Sequence, residues 1–248
     1  MIRGFKEFLL KHSVLALAVA VIIGAAVGKV VSSLVADIVM PIISLLIPGG
    51  EWRAARIILS TKTTPDGTTV YVANTWENTG RLASGQSTVT PIATATNTPG
   101  APIEVGSGPW AFAITPDGKT AYVINFYSHS VTPIATATNA PGPPIPVGQG
   151  PRAIAITPDG KTVYVASWQG GTVTPIATAT NTAGTPIEVG EGARAIVITP
   201  DGKTAYVVVW GEPGTVTPIA TATNTAGTPI EVGDGPYAIA ITPGASHL

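Results

Sequence analysis

VTPIATATN is written four times in this chain of 248 residues, beginning at Val89, Val131, Val173 and Val216. Around it a Pro-Asp-Gly recurs at Pro65, Pro116, Pro158 and Pro200, and an Ile/Val-rich segment ends in Val-Gly at Val105, Val147, Val189 and Val232. The period is 42 or 43 residues. A fixed period of that size marks stacked supersecondary units, each unable to bury its hydrophobic face alone.

Short strand signals make these units β. In the copy that starts near Arg152, Ala153-Ile154-Ala155-Ile156-Thr157 reads as a strand, and Pro158-Asp159-Gly160 as a turn with glycine in the left-handed position. A second strand follows at 162–166, Gly170-Gly171 turns into 172–180, and a Thr-Ala-Gly turn leads to 186–189. Four antiparallel strands per unit describe a propeller blade. The expected blades are 65–106, 107–148, 149–190 and 191–233, with a closing strand at 236–242. Glu104, Glu188 and Glu231, with Pro146 in the remaining copy, place a charge or a proline on the last strand, as an outer edge requires. The first blade lacks an Ala-Ile-Ala-Ile-Thr strand before its Pro-Asp-Gly, while Tyr237-Ala238-Ile239-Ala240-Ile241-Thr242 is such a strand with no blade after it. Pairing the two predicts a ring closed on itself; an open arc and an intermolecular ring are the alternatives.

The tetrads YVAN at Tyr71, YVIN at Tyr122, YVAS at Tyr164 and YVVV at Tyr206 resemble the YVTN family of β-propeller repeats over residues 61–243. That resemblance implies an extracytoplasmic location and an architecture, commonly seven-bladed, related to a lactonase and to the propellers of some redox enzymes.

Antiparallel strands put the loops entering the first strand and those leaving the second on one face. The first set carries Trp110, Arg152, Arg194 and Tyr237; the second carries Phe126, Trp168 and Trp210. Aromatics and arginines converging on one mouth compose a binding surface for a protein or glycan ligand. The competing reading is that the aromatics pack between blades and the arginines are solvated. Asp66, Asp117, Asp159 and Asp201 are explained by turn geometry at the opposite end, and one carboxylate per blade supplies too few oxygens for calcium.

Residues 1–50 differ in kind. Ile2, Phe5, Phe8 and Leu9 oppose Arg3, Lys6 and Lys11 on a short interfacial helix, and residues 14–40 are apolar for long enough to cross a bilayer. Residues 51–64 form a linker or first strand. The basic flank favours a cytoplasmic N-terminus with the repeats outside. Ala20, Gly24 and Gly28 fall at spacing four, a close-packing pattern that predicts a homo-oligomer through the membrane helix. Ala26-Val27-Gly28 also fits a signal-peptide cleavage site, a reading opposed by the continuing hydrophobicity after Lys29.

GFKEFLL at 4–10, LAVAVIIGAAVGKVVSSLVADIVMP at 17–41 and PGGEWR at 48–53 resemble the N-terminal helix and pore-lining first membrane helix of the large-conductance mechanosensitive channel, over residues 1–59. The resemblance implies that Leu17 and Val21 form a hydrophobic constriction, with Ala20 and Gly24 at helix crossings beside it and Lys29 further along the pore. His12-Ser13 and Ala16 stand where the family has Gly-Asn and an Asp, and nothing after Pro48 supplies 18 consecutive apolar residues for a second membrane helix.

Charged residues make up 11% of the chain and net charge is -1, so a nucleic-acid partner is not expected. With no cysteine, disulfides and thiolate chemistry are excluded. His12, His129 and His247 lie far apart, and no nucleophile-base pair or phosphate loop is present. No metal or cofactor is expected. The readings carried forward are a membrane-anchored extracytoplasmic propeller that binds without catalysing, a mechanosensitive channel subunit carrying a propeller, and a lactonase-like enzyme.

Overall fold

The chain separates into units Met1–Ala54 and Ala55–Leu248. The computed structural model describes residues 62–74 and 87–242. The expected interfacial and membrane helices within 1–50, and with them Leu17, Ala20, Val21, Gly24, Gly28 and Lys29, lie outside the described residues. No helix among the described residues is long and apolar enough to cross a membrane.

The described chain is all β, built as four antiparallel sheets. Sheet 1 holds β1 (Lys62–Thr63), β2 (Thr69–Asn74), β3 (Thr88–Ala93), β4 (Thr98–Pro99) and β5 (Ile103–Glu104). Sheet 2 holds β6 (Pro109–Ile114), β7 (Thr120–Asn125), β8 (Ser130–Ala135), β9 (Ala140–Pro141) and β10 (Ile145–Pro146). Sheet 3 holds β11 (Pro151–Ile156), β12 (Thr162–Ser167), β13 (Thr172–Ala177), β14 (Thr182–Ala183) and β15 (Ile187–Glu188). Sheet 4 holds β16 (Ala193–Ile198), β17 (Thr204–Val209), β18 (Thr215–Ala220), β19 (Thr225–Ala226) and β20 (Ile230–Glu231).

The expected fourth strand, 186–189, is observed as β15, and a further short strand, β14, pairs at 182–183 where a Thr-Ala-Gly turn was expected. β14 pairs with Ile176 and Ala177, whereas β15 pairs with Thr172 and Val173. Between them lies Pro175, which has no N–H to offer a partner. Its carbonyl still accepts from Gly184 N at 2.7 Å, so the outer chain leaves the ladder there and rejoins it two residues from the end. The same bond joins Gly100, Gly142 and Gly227 to Pro91, Pro133 and Pro218.

At the first turn of each unit the aspartate organises the chain. Asp159 Oδ1 accepts from Lys161 N at 3.0 Å and from Thr157 Oγ1 at 2.6 Å, while Gly160 takes φ 71°, which only glycine adopts without strain. Those hydrogen bonds, the threonine hydroxyl first, hold the carboxyls of Asp66, Asp117, Asp159 and Asp201 below the usual carboxylate value.

Sheets stack in chain order through three apolar seams. Tyr71, Val89 and Ile103 of sheet 1 meet Phe112, Val123 and Ile134 of sheet 2. Tyr122, Val131 and Ile145 meet Val163, Val165 and Ile176 of sheet 3, and Tyr164, Val173 and Ile187 meet Ile196, Val207 and Ile219 of sheet 4. Each fully buried Val or Ile stabilises by roughly 1.5–3 kcal/mol, so every seam holds several such contributions. A hydrogen bond repeats across each seam: Tyr71, Tyr122 and Tyr164 donate their hydroxyls to Oδ1 of Asn139, Asn181 and Asn224 at 2.8, 2.7 and 2.6 Å. These asparagines end VTPIATATN and sit in the left-handed region, with φ 53–55°.

The predicted closing strand is corrected. Residues 236–242 form no strand, and the first-strand slot of sheet 1 is taken by β1 itself. Lys62 pairs with Tyr71 as Ala113 pairs with Tyr122, so the chain before Pro65 supplies the end of a first strand despite its polar sequence.

Candidate functional site

Innermost strands β6, β11 and β16 each carry the same irregularity at the same place. The register with the second strand skips one residue between Pro109 and Ala111, between Pro151 and Ala153, and between Ala193 and Ala195. The skipped residues are Trp110, Arg152 and Arg194. A β-bulge leaves its extra residue out of the ladder and re-aims the side chain, here toward the end of the sheets away from the aspartate turns. In sequence the device reads Gly-Pro-Trp-Ala, Gly-Pro-Arg-Ala and Gly-Ala-Arg-Ala, and Gly235-Pro236-Tyr237-Ala238 is the same phrase again. Repetition of Gly-X-Ala with Pro or Ala after the glycine, as Gly-Pro/Ala-X-Ala, was the available signal for these bulges.

The second set of residues is placed by the loop leaving the second strand. Phe126 N donates to Gly108 O at 2.7 Å, Trp168 N to Gly150 O at 2.9 Å and Trp210 N to Gly192 O at 2.9 Å. Gly192 has φ 94°, and a Cβ added there would lie 2.6 Å from the Trp210 carbonyl oxygen, so this close approach excludes a side chain.

Together the two loops build a ladder of rings and guanidinium groups across sheets 2, 3 and 4. Trp110 lies 5.8 Å from Phe126, centroid to centroid. The Arg152 guanidinium is 5.3 Å from the Trp110 centroid and 4.9 Å from that of Trp168. Arg194 is 5.4 Å from Trp168 and 3.4 Å from Tyr237, while Trp210 lies 6.0 Å from Trp168. All four cation–π distances fall inside the attractive range of about 6 Å. The hydrogen bond and charge of Arg194 pull the Tyr237 phenol below the ordinary tyrosine value.

The seven residues singled out from sequence thus come together on one end of the sheets. Trp110 also packs against the seam between sheets 2 and 3, as the competing reading expects. The arginines, however, are half-buried between rings, and Trp210 and Tyr237 stay 43% and 66% exposed. Chemically the ladder offers flat apolar surface beside fixed positive charge, which suits stacking on a ring and pairing with an anionic or hydrogen-bond-accepting group.

At the opposite end the aspartates are spent on their own turns. Their ion pairs with Lys119, Lys161 and Lys203 are exposed, at 3.5, 3.6 and 3.9 Å, and contribute little. Among the described residues no three of His, Asp or Glu gather in a group that could hold a metal ion. His129 Nδ1 accepts from Gly150 N at 3.0 Å and so serves the loop.

Residues 1–79 match the family model for the large-conductance mechanosensitive channel, MscL. Two relatives of that description, from Synechococcus elongatus and another Synechococcus strain, are each 61% identical over 56 residues, which is 23% of this chain and 42% of theirs. The chain thus spans less than half the length of the curated relatives it matches. The similarity supports a cell-membrane location. Among solved structures, hydrazine synthase from Kuenenia stuttgartiensis superposes with a TM-score of 0.63 at 28% identity, covering 75% of this chain and 53% of that one. A functionally unknown protein from Desulfotomaculum acetoxidans gives 0.59 at 19% identity, covering 71% and 56%. Dihydro-heme d1 dehydrogenase NirN in complex with DHE gives 0.56 at 14% identity, covering 71% and 38%. The last two matches bear on fold alone, and that fold is propeller-like.

Proposed function

We propose that the chain is a membrane-anchored, extracytoplasmic scaffold whose repeats bind a protein or glycan ligand on the Arg–aromatic face, without catalysis. The observation that carries this reading is the ladder itself: Arg152 and Arg194 are each held between two rings, so their charge is fixed in place before any ligand arrives. Pre-ordered charge and rigid rings reduce the entropy lost on binding. The turn carboxylates are exposed, ionised below the usual value and turned toward their own backbone, which suits structure better than acid–base work. Binding of the full chain to an array of neutral and acidic oligosaccharides and acidic peptides tests the reading. Wild type should retain a subset that Trp168→Ala loses by about tenfold or more, as expected for one stacking and cation–π platform. Equal binding by both proteins across the array would reject the face as the site.

A second reading has its own support in the N-terminal similarity: a pore-forming subunit of a mechanosensitive channel carrying the sheets on its outer side. The sequence after Pro48 lacks an apolar stretch for the lipid-facing helix that would transmit tension, so patch recording of the full chain should give no large tension-activated conductance. A large conductance would decide for the channel.

A further inference from the structure

Seam chemistry is written four times, and among the described residues three seams are made. Sheet 4 presents, toward where a fifth sheet would pack, the residues that sheets 1 to 3 bury: Tyr206, Val216 and Ile230 stand in the places of Tyr164, Val173 and Ile187. Ile230 is 51% exposed, against 5–7% for Ile103, Ile145 and Ile187. Tyr206 and Val216 are part-exposed where their counterparts are buried. Among the described residues nothing of another sheet packs on the other side of sheet 1. Val70, Val72 and Ile92 are part-exposed, while the equivalent Val163, Val165 and Ile176 are fully buried. Burial alternates accordingly along the third strands: buried residues at β3 are the part-exposed ones at β18, and the reverse.

The hydrogen bond of the seam is split between the same two ends. Tyr206 has no acceptor among the described residues, and Asn97, with the left-handed φ of 53° shared by the other three acceptors, receives no tyrosine. One end therefore holds a spare donor with its apolar set, and the other holds the matching acceptor with its own.

We infer that the outer face of sheet 4 binds the outer face of sheet 1 of a second copy of this chain, with Tyr206 donating to Asn97 across the contact. The docking continues an interface that the chain already makes three times, so the occupant is specified by chemistry the protein itself uses. Head-to-tail contacts form closed rings when the rotation allows. Two copies give a ring of eight sheets, the upper end of the usual propeller range of about 4–8, and three copies would exceed it.

The chain has no cysteine, so introduced thiols are unique. Full-length Asn97→Cys and Tyr206→Cys chains, carrying different tags, are co-expressed and treated with a short bismaleimide before extraction. Tyr164→Cys with Asn224→Cys in one chain is the positive control, because those groups meet at 2.6 Å. A covalent species of twice the chain mass containing both tags is expected. Adding Ile230→Glu to the Tyr206→Cys chain should lower its yield by about tenfold or more, since a carboxylate would be buried in the seam without a partner. Ile230 is exposed, so the variant keeps its fold, which circular dichroism verifies. Three results would overturn the inference: no two-tag species while the control cross-links; a yield that Ile230→Glu leaves unchanged, meaning that other segments bring the chains together; or cross-linking of an Asn97→Cys, Tyr206→Cys double variant within one chain, meaning that its own ends meet.

Discussion

Removing one hydroxyl from a seam should be measurable, and the size of the effect follows from the geometry. Tyr164 is 1% exposed, its ring lies in the seam between sheets 3 and 4, and its hydroxyl donates to Asn224 Oδ1 at 2.6 Å. Tyr164→Phe keeps the ring and deletes the hydroxyl, which also lies 3.3 Å from the Thr221 carbonyl oxygen. Asn224 is exposed, so water replaces the lost donor, and the net cost is that of one hydrogen bond, about 1 kcal/mol. For a domain of this size that lowers the melting midpoint by about 2–4 °C. Tyr164→Ala also empties the ring's place in the seam and should cost about 3–5 kcal/mol. Tyr206→Phe provides the contrast: measured dilute enough to keep chains apart, it should change stability by less than about 0.5 kcal/mol, because its hydroxyl has no partner among the described residues. Calorimetry of the full chain and the three variants in one detergent gives all four midpoints. A Tyr164→Phe midpoint equal to wild type, or a Tyr206→Phe shift as large as that of Tyr164→Phe, would refute the reasoning that seams are latched by these hydroxyls and that sheet 4 is open.

Two further expectations concern titration. Because Asp117, Asp159 and Asp201 have folded values below 3.8, their contribution is fully present above that pH and is lost as pH falls through the folded value. An Asp117→Asn, Asp159→Asn, Asp201→Asn chain keeps the turn acceptors and should lose less stability between pH 4 and 2 than wild type does, as read by acid unfolding; an identical acid profile would contradict this. Ultraviolet titration should find Tyr237 ionising ahead of the usual value of 10.0, and Tyr71, Tyr122 and Tyr164 ionising after it because burial disfavours their charged forms. Arg194→Ala should abolish the early phase, and its survival would detach Tyr237 from the ladder.

Much of the fold could be read from sequence because repetition averages out local ambiguity. Four copies of VTPIATATN and of Pro-Asp-Gly fix the turns, and the strands between them are forced by length and by Val, Ile and Tyr. What misled was hydrophobic pattern at the ends of the array. Tyr237-Ala238-Ile239-Ala240-Ile241-Thr242 has an ideal strand alternation, yet a strand forms only against a free edge, and β1 already occupies the edge it was assigned. Conversely Lys62 and Thr63 carry no apolar signal and pair because the Asp66 turn delivers them there. The interval between β14 and β15 follows from the proline of VTPIATATN, whose missing N–H lies on that side. The residues of the candidate face were legible by their place in the loops entering the first strand and leaving the second. Their interleaving was not, because it depends on the bulges that turn Trp110, Arg152 and Arg194 out of the ladder.

The proposed function places the sheets outside the cytoplasm, and a single labelling measurement tests that placement most directly. Lys161 is about 81% exposed on the turn end, away from the ladder, and the chain has no cysteine of its own. Full-length Lys161→Cys in intact spheroplasts is treated with a membrane-impermeant maleimide, with a parallel sample opened by detergent. The account predicts equal labelling in both samples. Labelling only after the membrane is opened would place the sheets inside and contradict it.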